Sequence, residues 1–404
     1  MPTFFYKARN EVGKPVKGTM DAPTKDELID KLHKMGYMTT HIDEVTPEFR
    51  IEKFFDRLRP INAEDMIVFN VQLSNMINAG INILTSLSTL SDQIENRRLR
   101  DTIGDVSRGI EGGDTLSQAL SRYPRVFPNI FISMVKAGEA SGRLEAILAR
   151  YAVFSEQQED LRQKIRGALF YPAILLTAGI AVTLFLVTFI IPQFASVFSK
   201  TGVTLPLPTL ILNRVGVWIK GYWYVVVLGG LLAYFGYRLF ADTEGGRLKV
   251  DRLKLILPVM GPLHRKAAIS RFARTLGTLV ASGVPILEAI DIVRGVVGNE
   301  VIARVVKSSR DAVENGEKLA APLKVSQEFP QDAVQMIAIG EETGDLDGML
   351  NKISDFYDMY IGYSVKKLTS IIEPLFLLLL GALVAFIMAS MLLPIFDMIK
   401  ILRR

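Results

Sequence analysis

A short motif with two glycines and a glutamate occurs twice in the chain, as GEASGRL at 138–144 and as GEETGDL at 340–346. A carboxylate on a rigid turn is well placed to bind a basic surface, because the turn fixes where the charge is displayed. No catalytic constellation accompanies the motif, so any functional chemistry it has would be recognition rather than catalysis. The candidate residues are Gly138, Glu139, Gly142, Gly340, Glu341 and Gly344.

The sequence leaves two interpretations of this motif open. In the structural one, Gly138 or Gly340 ends a helix, and Ser141 or Thr343 caps the next helix. In the functional one, the motif glutamates present their carboxylates at the tip of a helical bundle to a basic partner. The repetition shows that a duplication kept both glycines and the glutamate, which does not by itself separate folding from contact.

Other chemistry is scarce along the 404 residues. The chain has no cysteine, which excludes disulfides, thiol catalysis and cysteine-ligated metals. The three histidines are not paired at ligand spacing, and Pro15 follows the only Gly-Lys pair, so there is no Walker A loop. We expect a non-enzymatic protein with no catalytic residue, no cofactor and no metal. The net charge of +5 is modest, and we expect no nucleic-acid partner.

Three apolar stretches predict membrane-spanning helices. The composition, 49% hydrophobic and 22% charged, fits soluble domains joined to a few spans. About 20 apolar residues cross a bilayer as a helix, and residues 167–199 contain no Asp, Glu, Lys or Arg. The predicted spans are 167–192, 221–240 and 371–396, with a periplasmic loop at 193–220 and a short periplasmic tail at 397–404.

Positive charges flank these spans asymmetrically. They cluster before the first span, after the second and before the third, and the positive-inside rule then places residues 1–166 and 238–373 in the cytoplasm. The cations of the C-terminal tail oppose this orientation but are outweighed. Besides setting topology, such flanks can contact anionic lipid headgroups or acidic partner surfaces. The cations next to the first and third spans are Arg162, Lys164, Arg166, Lys366 and Lys367.

The chain carries an internal duplication of a bundle and a span. Phe69, Leu73 and Gly80 recur at a spacing of 203 as Phe272, Leu276 and Gly283. One residue is then lost, and the register continues at an offset of 202 into the membrane, where Tyr171-Pro172 aligns with Glu373-Pro374. Because two spans separate the copies, both bundles lie on the same side of the membrane.

The soluble segments are predicted to be helical in both copies. Apolar residues recur at spacings of three and four, which predicts cytoplasmic bundles of about six helices each at 62–166 and 241–370. Residues 1–48 instead predict a small αβ module, with two strands around a turn, a helix capped by Thr24 and a third strand. A charged linker at 49–61 follows. The fold class is a mostly α membrane protein.

The paired motifs within a duplication resemble those of the secretion protein F family. Its members are the inner-membrane platform proteins of type II secretion systems and type IV pili, and the similarity covers about residues 3–397. The resemblance implies a scaffold that links a cytoplasmic hexameric ATPase to pilin or pseudopilin helices, beside inner-membrane alignment proteins of the machine. It also implies a bacterial inner-membrane location, an N terminus in the cytoplasm and a homo-oligomer.

Two other classes compete with the platform. A transporter would need polar or charged groups within its spans, and Glu373 is better interpreted as an acid at the interfacial start of the third spanning helix than as a proton relay. A membrane-bound enzyme would need a catalytic constellation, which the sequence lacks. The sequence does not determine whether the client is a pilus or a pseudopilus, or which bundle contacts the ATPase.

Overall fold

The computed structural model describes residues 3–9, 15–45, 60–200, 206–258 and 260–402. The predicted turn between the first two strands and most of the predicted linker lie outside these ranges. The chain divides into two compact units, one formed by residues 1–66 and 87–105 and the other by residues 67–86 and 106–404.

A three-stranded antiparallel sheet and one helix form the N-terminal module. Strand β1 (Thr3–Arg9) lies between β2 (Pro15–Asp21) and β3 (Met38–Val45). Helix α1 (Lys25–Lys34) begins after Thr24, whose hydroxyl accepts a hydrogen bond from the Glu27 N–H at 3.4 Å. The predicted αβ module is therefore confirmed. Its buried core consists of Phe4, Tyr6, Ala8, Ala22, Leu28 and Leu32.

The first copy of the repeat contains six helices. They are α2 (Ala63–Asn78), α3 (Ile83–Gln93), α4 (Arg97–Glu111), α5 (Leu116–Ser121), α6 (Asn129–Ser141) and α7 (Leu144–Phe185). Helix α7 continues through one π-helical turn (Leu186–Ile190) into α8 (Ile191–Lys200). Helix α9 (Leu207–Asp242) has non-helical backbone angles at Tyr222.

The second copy contains six corresponding helices after a connecting helix. The connecting helix is α10 (Glu244–Ile256), and the six are α11 (Met260–Ala281), α12 (Ile286–Val296), α13 (Glu300–Glu314), α14 (Ala320–Ser326), α15 (Gln331–Thr343) and α16 (Leu346–Leu402). The predicted six helices per copy are thus found, and the last helix of each copy continues into an apolar stretch.

The repeated core positions adopt the same structure in both copies. Phe69 lies 6.2 Å from Phe127 between ring centroids, and the repeat-equivalent pair Phe272 and Phe329 is 5.1 Å apart. The neighbouring repeat leucines, Leu73 and Leu276, are also buried. Gly80 and Gly283 both have φ of +80°, a left-handed conformation that side chains with a Cβ rarely adopt. The duplication therefore preserves packing as well as sequence.

The segment predicted as a loop at 193–220 is largely helical where it is described, and the predicted tail is helical to Leu402. The loop prediction ended the first span at Pro192. A π-helical turn (Leu186–Ile190) ends two residues before this proline, and the helix continues through it to Lys200. Where it is described, the connection between the first two spans is therefore helical.

Prolines also lie inside the long helices, and this corrects the interpretation of Glu373. Pro172 lies within α7, and α16 runs through Glu373 and Pro374, so Glu373 is not at a helix start. A helical proline leaves the carbonyl four residues earlier without its usual donor. Where water is absent, such a carbonyl needs a hydrogen-bond donor from another part of the protein. Whether one is present depends on the tertiary structure.

A threonine hydroxyl from another helix donates to one of these carbonyls. A second threonine, Thr369, lies near another such carbonyl but makes its shorter hydrogen bond to the Val365 carbonyl of its own helix, at 3.0 Å. The Thr369 Oγ1 lies 3.5 Å from the carbonyl oxygen of Ala168, which precedes Pro172 by four residues. The Thr209 Oγ1 lies 2.5 Å from the carbonyl oxygen of Ser390, which precedes a proline by the same spacing. Packing between helices can thus supply a donor that a helical proline lacks.

Candidate interaction site

The motif turns are helix ends at which the second glycine, rather than the first, adopts the left-handed conformation. Helix α6 ends at Gly142 with φ of 68°, and the Arg143 N–H donates to the Gly138 carbonyl at 2.9 Å. Helix α15 ends at Gly344 with φ of 75°. Both arrangements satisfy the geometry of a left-handed helix C-cap. The expectation that Gly138 or Gly340 ends the helix was wrong, because both lie one turn inside it.

The first glycine of each motif instead permits two helices to approach closely. A Cβ added to Gly138 would lie 3.0 Å from the Ile147 Cγ1, and one added to Gly340 would lie 3.0 Å from the Leu346 Cα. Contacts this short force neighbouring atoms to move. Each motif therefore closes a tight helical hairpin, α6–α7 in the first copy and α15–α16 in the second.

The motif hydroxyls do not cap the following helices. The Ser141 Oγ donates to the Ala137 carbonyl at 2.8 Å, and the Thr343 Oγ1 donates to the Ile339 carbonyl at 2.8 Å. Both bonds run back to the residue four positions earlier, a local alternative open to any helical serine or threonine. The predicted N-cap role was wrong, because these hydroxyls still lie within the preceding helix.

The motif glutamates accept hydrogen bonds from the start of a neighbouring short helix. Glu341 accepts the Leu319 N–H at 2.6 Å and the Ala320 N–H at 3.0 Å, where α14 begins. Glu139 accepts the Ser117 hydroxyl at 2.5 Å and the Ser117 N–H at 3.3 Å, where α5 begins. A carboxylate at a helix N terminus satisfies donors that have no partner within the helix. Both carboxylates are half-buried and have an internal structural role.

The two copies depend on this carboxylate to different degrees. In the first copy, Thr115 and Gln118 form a capping box at the start of α5, so that helix has its own cap. In the second copy, Leu319 occupies the N-cap of α14, and its side chain makes no capping bond. Glu341 is therefore the side-chain acceptor for α14, whereas Glu139 supplements an existing cap.

The exposed charge at the second turn belongs to the residue after the motif glutamate. Glu342 accepts a hydrogen bond from the Lys318 Nζ at 2.7 Å, and this bond and the positive charge of Lys318 lower the pKa of Glu342. The same contact raises the pKa of Lys318. A partner contact at either turn stays a prediction, and Glu342 is the more accessible acid beside the second motif.

A charged cluster that the sequence analysis missed joins the two copies. The Arg274 guanidinium on α11 lies 2.5 Å from Asp358 and 3.2 Å from Asp355, both on α16, and it also donates to Gln157 on α7. Its side chain is 10% exposed. The repeat register aligns this arginine with Val71, and a charge that replaces an apolar repeat position was the feature that could have revealed it.

The described residues contain no arrangement suited to a metal. No three His, Asp or Glu side chains within them lie close enough together to hold an ion.

Lys266 lies with its Nζ 3.5 Å from the centroid of the Tyr360 ring, and burial lowers the pKa of this lysine while Asp332 partly opposes the shift. The Lys266–Tyr360 contact therefore joins α11 to α16.

Among the residues that the structure describes, three helices are long and apolar enough to cross a membrane, within residues 144–197, 207–242 and 346–393. The fold and the paired turns therefore define a helical membrane protein built from two copies of a bundle joined to a long spanning helix. The family described as type II secretion system (T2SS), protein F, matches residues 69–192 and 272–394, and its N-terminal domain matches residues 1–43. The chain belongs to this family and is an inner-membrane protein.

Relatives of two kinds cover nearly the whole chain. The type IV pilus assembly protein PilC of Thermus thermophilus is 39% identical over 99% of this chain and 98% of its own length. The type II secretion system protein F of Xanthomonas campestris is 34% identical over 98% of this chain and 99% of its own length. A PilC from Myxococcus xanthus is 32% identical over 98% of this chain and 94% of its own length. The resemblance inferred from the duplicated motifs is confirmed.

Proposed function

We propose that this protein is a non-enzymatic platform of the bacterial inner membrane that couples a cytoplasmic hexameric ATPase to the insertion or extraction of pilin-type subunits. The observation that carries the proposal is the family match over both copies of the repeat, together with full-length relatives named for pilus assembly and for type II secretion. Both kinds of relative support the same role, so the proposal covers pilus and pseudopilus assembly alike.

The long helices supply a mechanical reason for this role. Helix α16 contains 57 residues without a break, which at 1.5 Å per residue is about 85 Å. It begins at the second motif turn and ends beyond the third apolar stretch, so a displacement of the bundle is carried directly to the membrane. Helix α7 makes the same connection in the first copy. A force applied to either bundle would therefore move a spanning helix that faces other membrane components.

Site-specific photo-crosslinking tests the motor contact. A photoreactive residue at Ala140 or Glu342, both exposed beside the motif turns, is introduced into the full chain in membranes that contain the cognate ATPase. We expect adducts with the ATPase that depend on nucleotide, from one or both positions. A correctly inserted protein that gives no ATPase adducts from these positions or from the other exposed positions of both bundles would refute the coupling.

A second experiment tests the orientation and the multi-pass topology. Because the chain has no cysteine, a single introduced cysteine can be labelled without background. Ser308→Cys in the second bundle is expected to react with a membrane-impermeant maleimide only after the inner membrane is opened. Arg214→Cys, between the first two spans, is expected to react in intact spheroplasts. The reverse pattern would overturn the cytoplasmic placement of the bundles.

A further inference from the structure

A hollow lies between the two long helices just before they enter their apolar stretches. It has a volume of about 410 Å³ and is lined by α7 and α16. Its walls are mainly apolar, with Leu161 and Ile165 on one helix and Val365 on the other, and Lys164 and Lys366 line it as well. It therefore combines an apolar surface with two cationic groups at the edge of the membrane.

The two lysines are equivalent residues of the internal repeat. Lys366 follows Lys164 by 202 residues, which is the offset of the repeat in this region. Another equivalent pair meets nearby, where the Tyr171 hydroxyl lies 3.5 Å from the Glu373 Oε1. When equivalent residues of two copies meet one another, the copies are related by an approximate two-fold axis. The hollow thus presents two ammonium groups in a nearly symmetric arrangement.

The depth of these lysines matches that of lipid phosphates. At 1.5 Å per residue, Lys164 lies about 5 Å before residue 167 and Lys366 about 8 Å before residue 371, where the predicted spans begin. Headgroups occupy a layer of about 5–8 Å on each side of the hydrocarbon core. Both lysines are exposed. The hollow is therefore at the level of the headgroups rather than in bulk water.

The surrounding charge favours an anionic ligand. Segments 159–171 and 362–373 contain five Lys or Arg and three acidic residues, Glu159, Asp160 and Glu373, so cations remain in excess. The Asp160 carboxylate lies 2.5 Å from the Lys164 Nζ, but more than half of each side chain is exposed, and such surface pairs contribute little. A phosphate can therefore compete with Asp160 for Lys164, and the two segments carry a net positive charge that attracts it.

We propose that this hollow binds a phospholipid with two phosphates, of the cardiolipin class. Each phosphate pairs with one of the repeat-equivalent lysines, and the glycerol that bridges the phosphates lies against the apolar wall between them. Basic pockets between spanning helices are known to suit such headgroups. Farther along the same two helices, a second hollow of about 460 Å³ has a lining of Gly179, Thr183 and aliphatic or aromatic side chains, which is suited to acyl chains.

The test measures lipid binding to the full chain in detergent by native mass spectrometry. Tetraoleoyl cardiolipin is titrated into the unmodified protein, a Lys164→Gln/Lys366→Gln variant and a control, Arg166→Gln/Lys367→Gln. The control removes the same charge at the same depth, from residues that do not line the hollow. We expect the lysine variant to bind cardiolipin roughly 10- to 30-fold more weakly and the control less than threefold more weakly. Equal losses in both variants would overturn the proposal.

Measurements on the unmodified protein make the proposal independent of how the variants fold. Phosphatidylglycerol, with one phosphate, is expected to bind at least tenfold more weakly than cardiolipin when compared at equal phosphate concentration. Equal binding would overturn the two-phosphate assignment. Inorganic phosphate at millimolar concentration is expected not to displace cardiolipin, and displacement would assign the hollow to a soluble anion instead.

Discussion

Replacement of Glu341 by alanine is expected to loosen the start of helix α14 without unfolding the protein. Its carboxylate accepts two backbone N–H groups, at 2.6 and 3.0 Å, and no side chain at the N-cap replaces it. Hydrogen bonds to a charged group contribute about 1.5–3 kcal/mol each, and water recovers part of that at a half-buried site. We therefore expect a local loss of about 2–4 kcal/mol.

Hydrogen exchange of the full chain in detergent measures this loss directly. Local opening controls the exchange of backbone amides, and a loss of 2–4 kcal/mol corresponds to about 30- to 1,000-fold faster exchange. The acceleration is expected in peptides that cover residues 316–327, and Glu341→Gln, which keeps one acceptor oxygen, should lie between the alanine variant and the unmodified protein. Glu139→Ala should have a smaller effect on α5, because the Thr115 capping box remains.

The neighbouring acid provides the matched control. Glu342→Ala removes the same charge from the same helix, but its partner is the exposed Lys318, so α14 should exchange as in the unmodified protein. Equal acceleration by Glu341→Ala and Glu342→Ala, or none in either, would refute the capping role. If Glu341→Ala leaves exchange unchanged but abolishes filament assembly, the motif glutamate would have to be assigned to a partner contact instead.

Three further changes test other contacts. Gly340→Ala should destabilise the α15–α16 hairpin by about 1–3 kcal/mol through overpacking, and hydrogen exchange in that hairpin should become faster. Unchanged exchange would contradict the close approach of the two helices. Arg274→Met should lower the stability of the α11–α16 contact by about 3 kcal/mol, because Asp358 loses its counter-ion and keeps only the Ser270 hydroxyl. Adding Asp358→Asn should restore protection from exchange, and no recovery would argue against charge pairing. Thr209→Val should lower the free energy of unfolding by about 1 kcal/mol, because it removes a hydrogen bond between two helices. It should lower the thermal midpoint in detergent more than the control Thr177→Val, whose hydroxyl bonds within its own helix. Equal effects of the two variants would refute the interhelical donor.

The parts of the fold that could be predicted are those that show as regular patterns along the sequence. Helical spacing of apolar residues predicted both bundles, charge-free runs predicted three spans, and self-similarity at offsets of 203 and 202 revealed the duplication. Such patterns can be recognised without the tertiary structure, because a helix that buries one face needs the same spacing of apolar residues whatever it packs against. They also carried the resemblance to the family, which the matches over 69–192 and 272–394 confirmed.

The candidate site was predicted in position but not in geometry. Both motif turns exist, yet the residue that ends the helix is Gly142 rather than Gly138, and the Ser141 hydroxyl bonds backwards. In the sequence, a glycine that lies inside a helix cannot be distinguished from a glycine that ends one. Only the position of the next helix, which the added Cβ would strike, distinguishes close packing from a turn.

By itself, the sequence determined the class of this protein: a duplicated, mostly helical chain with three spans, an αβ module and paired glutamate turns. The tertiary structure decided which groups within that plan have partners. The Ser390 carbonyl, four residues before a proline, has the Thr209 hydroxyl of another helix as its donor, and the Glu341 carboxylate accepts N–H groups at the start of α14, which has no side-chain cap of its own. The physical reason is that buried polar groups must be satisfied, and their partners lie far away in sequence but close in space.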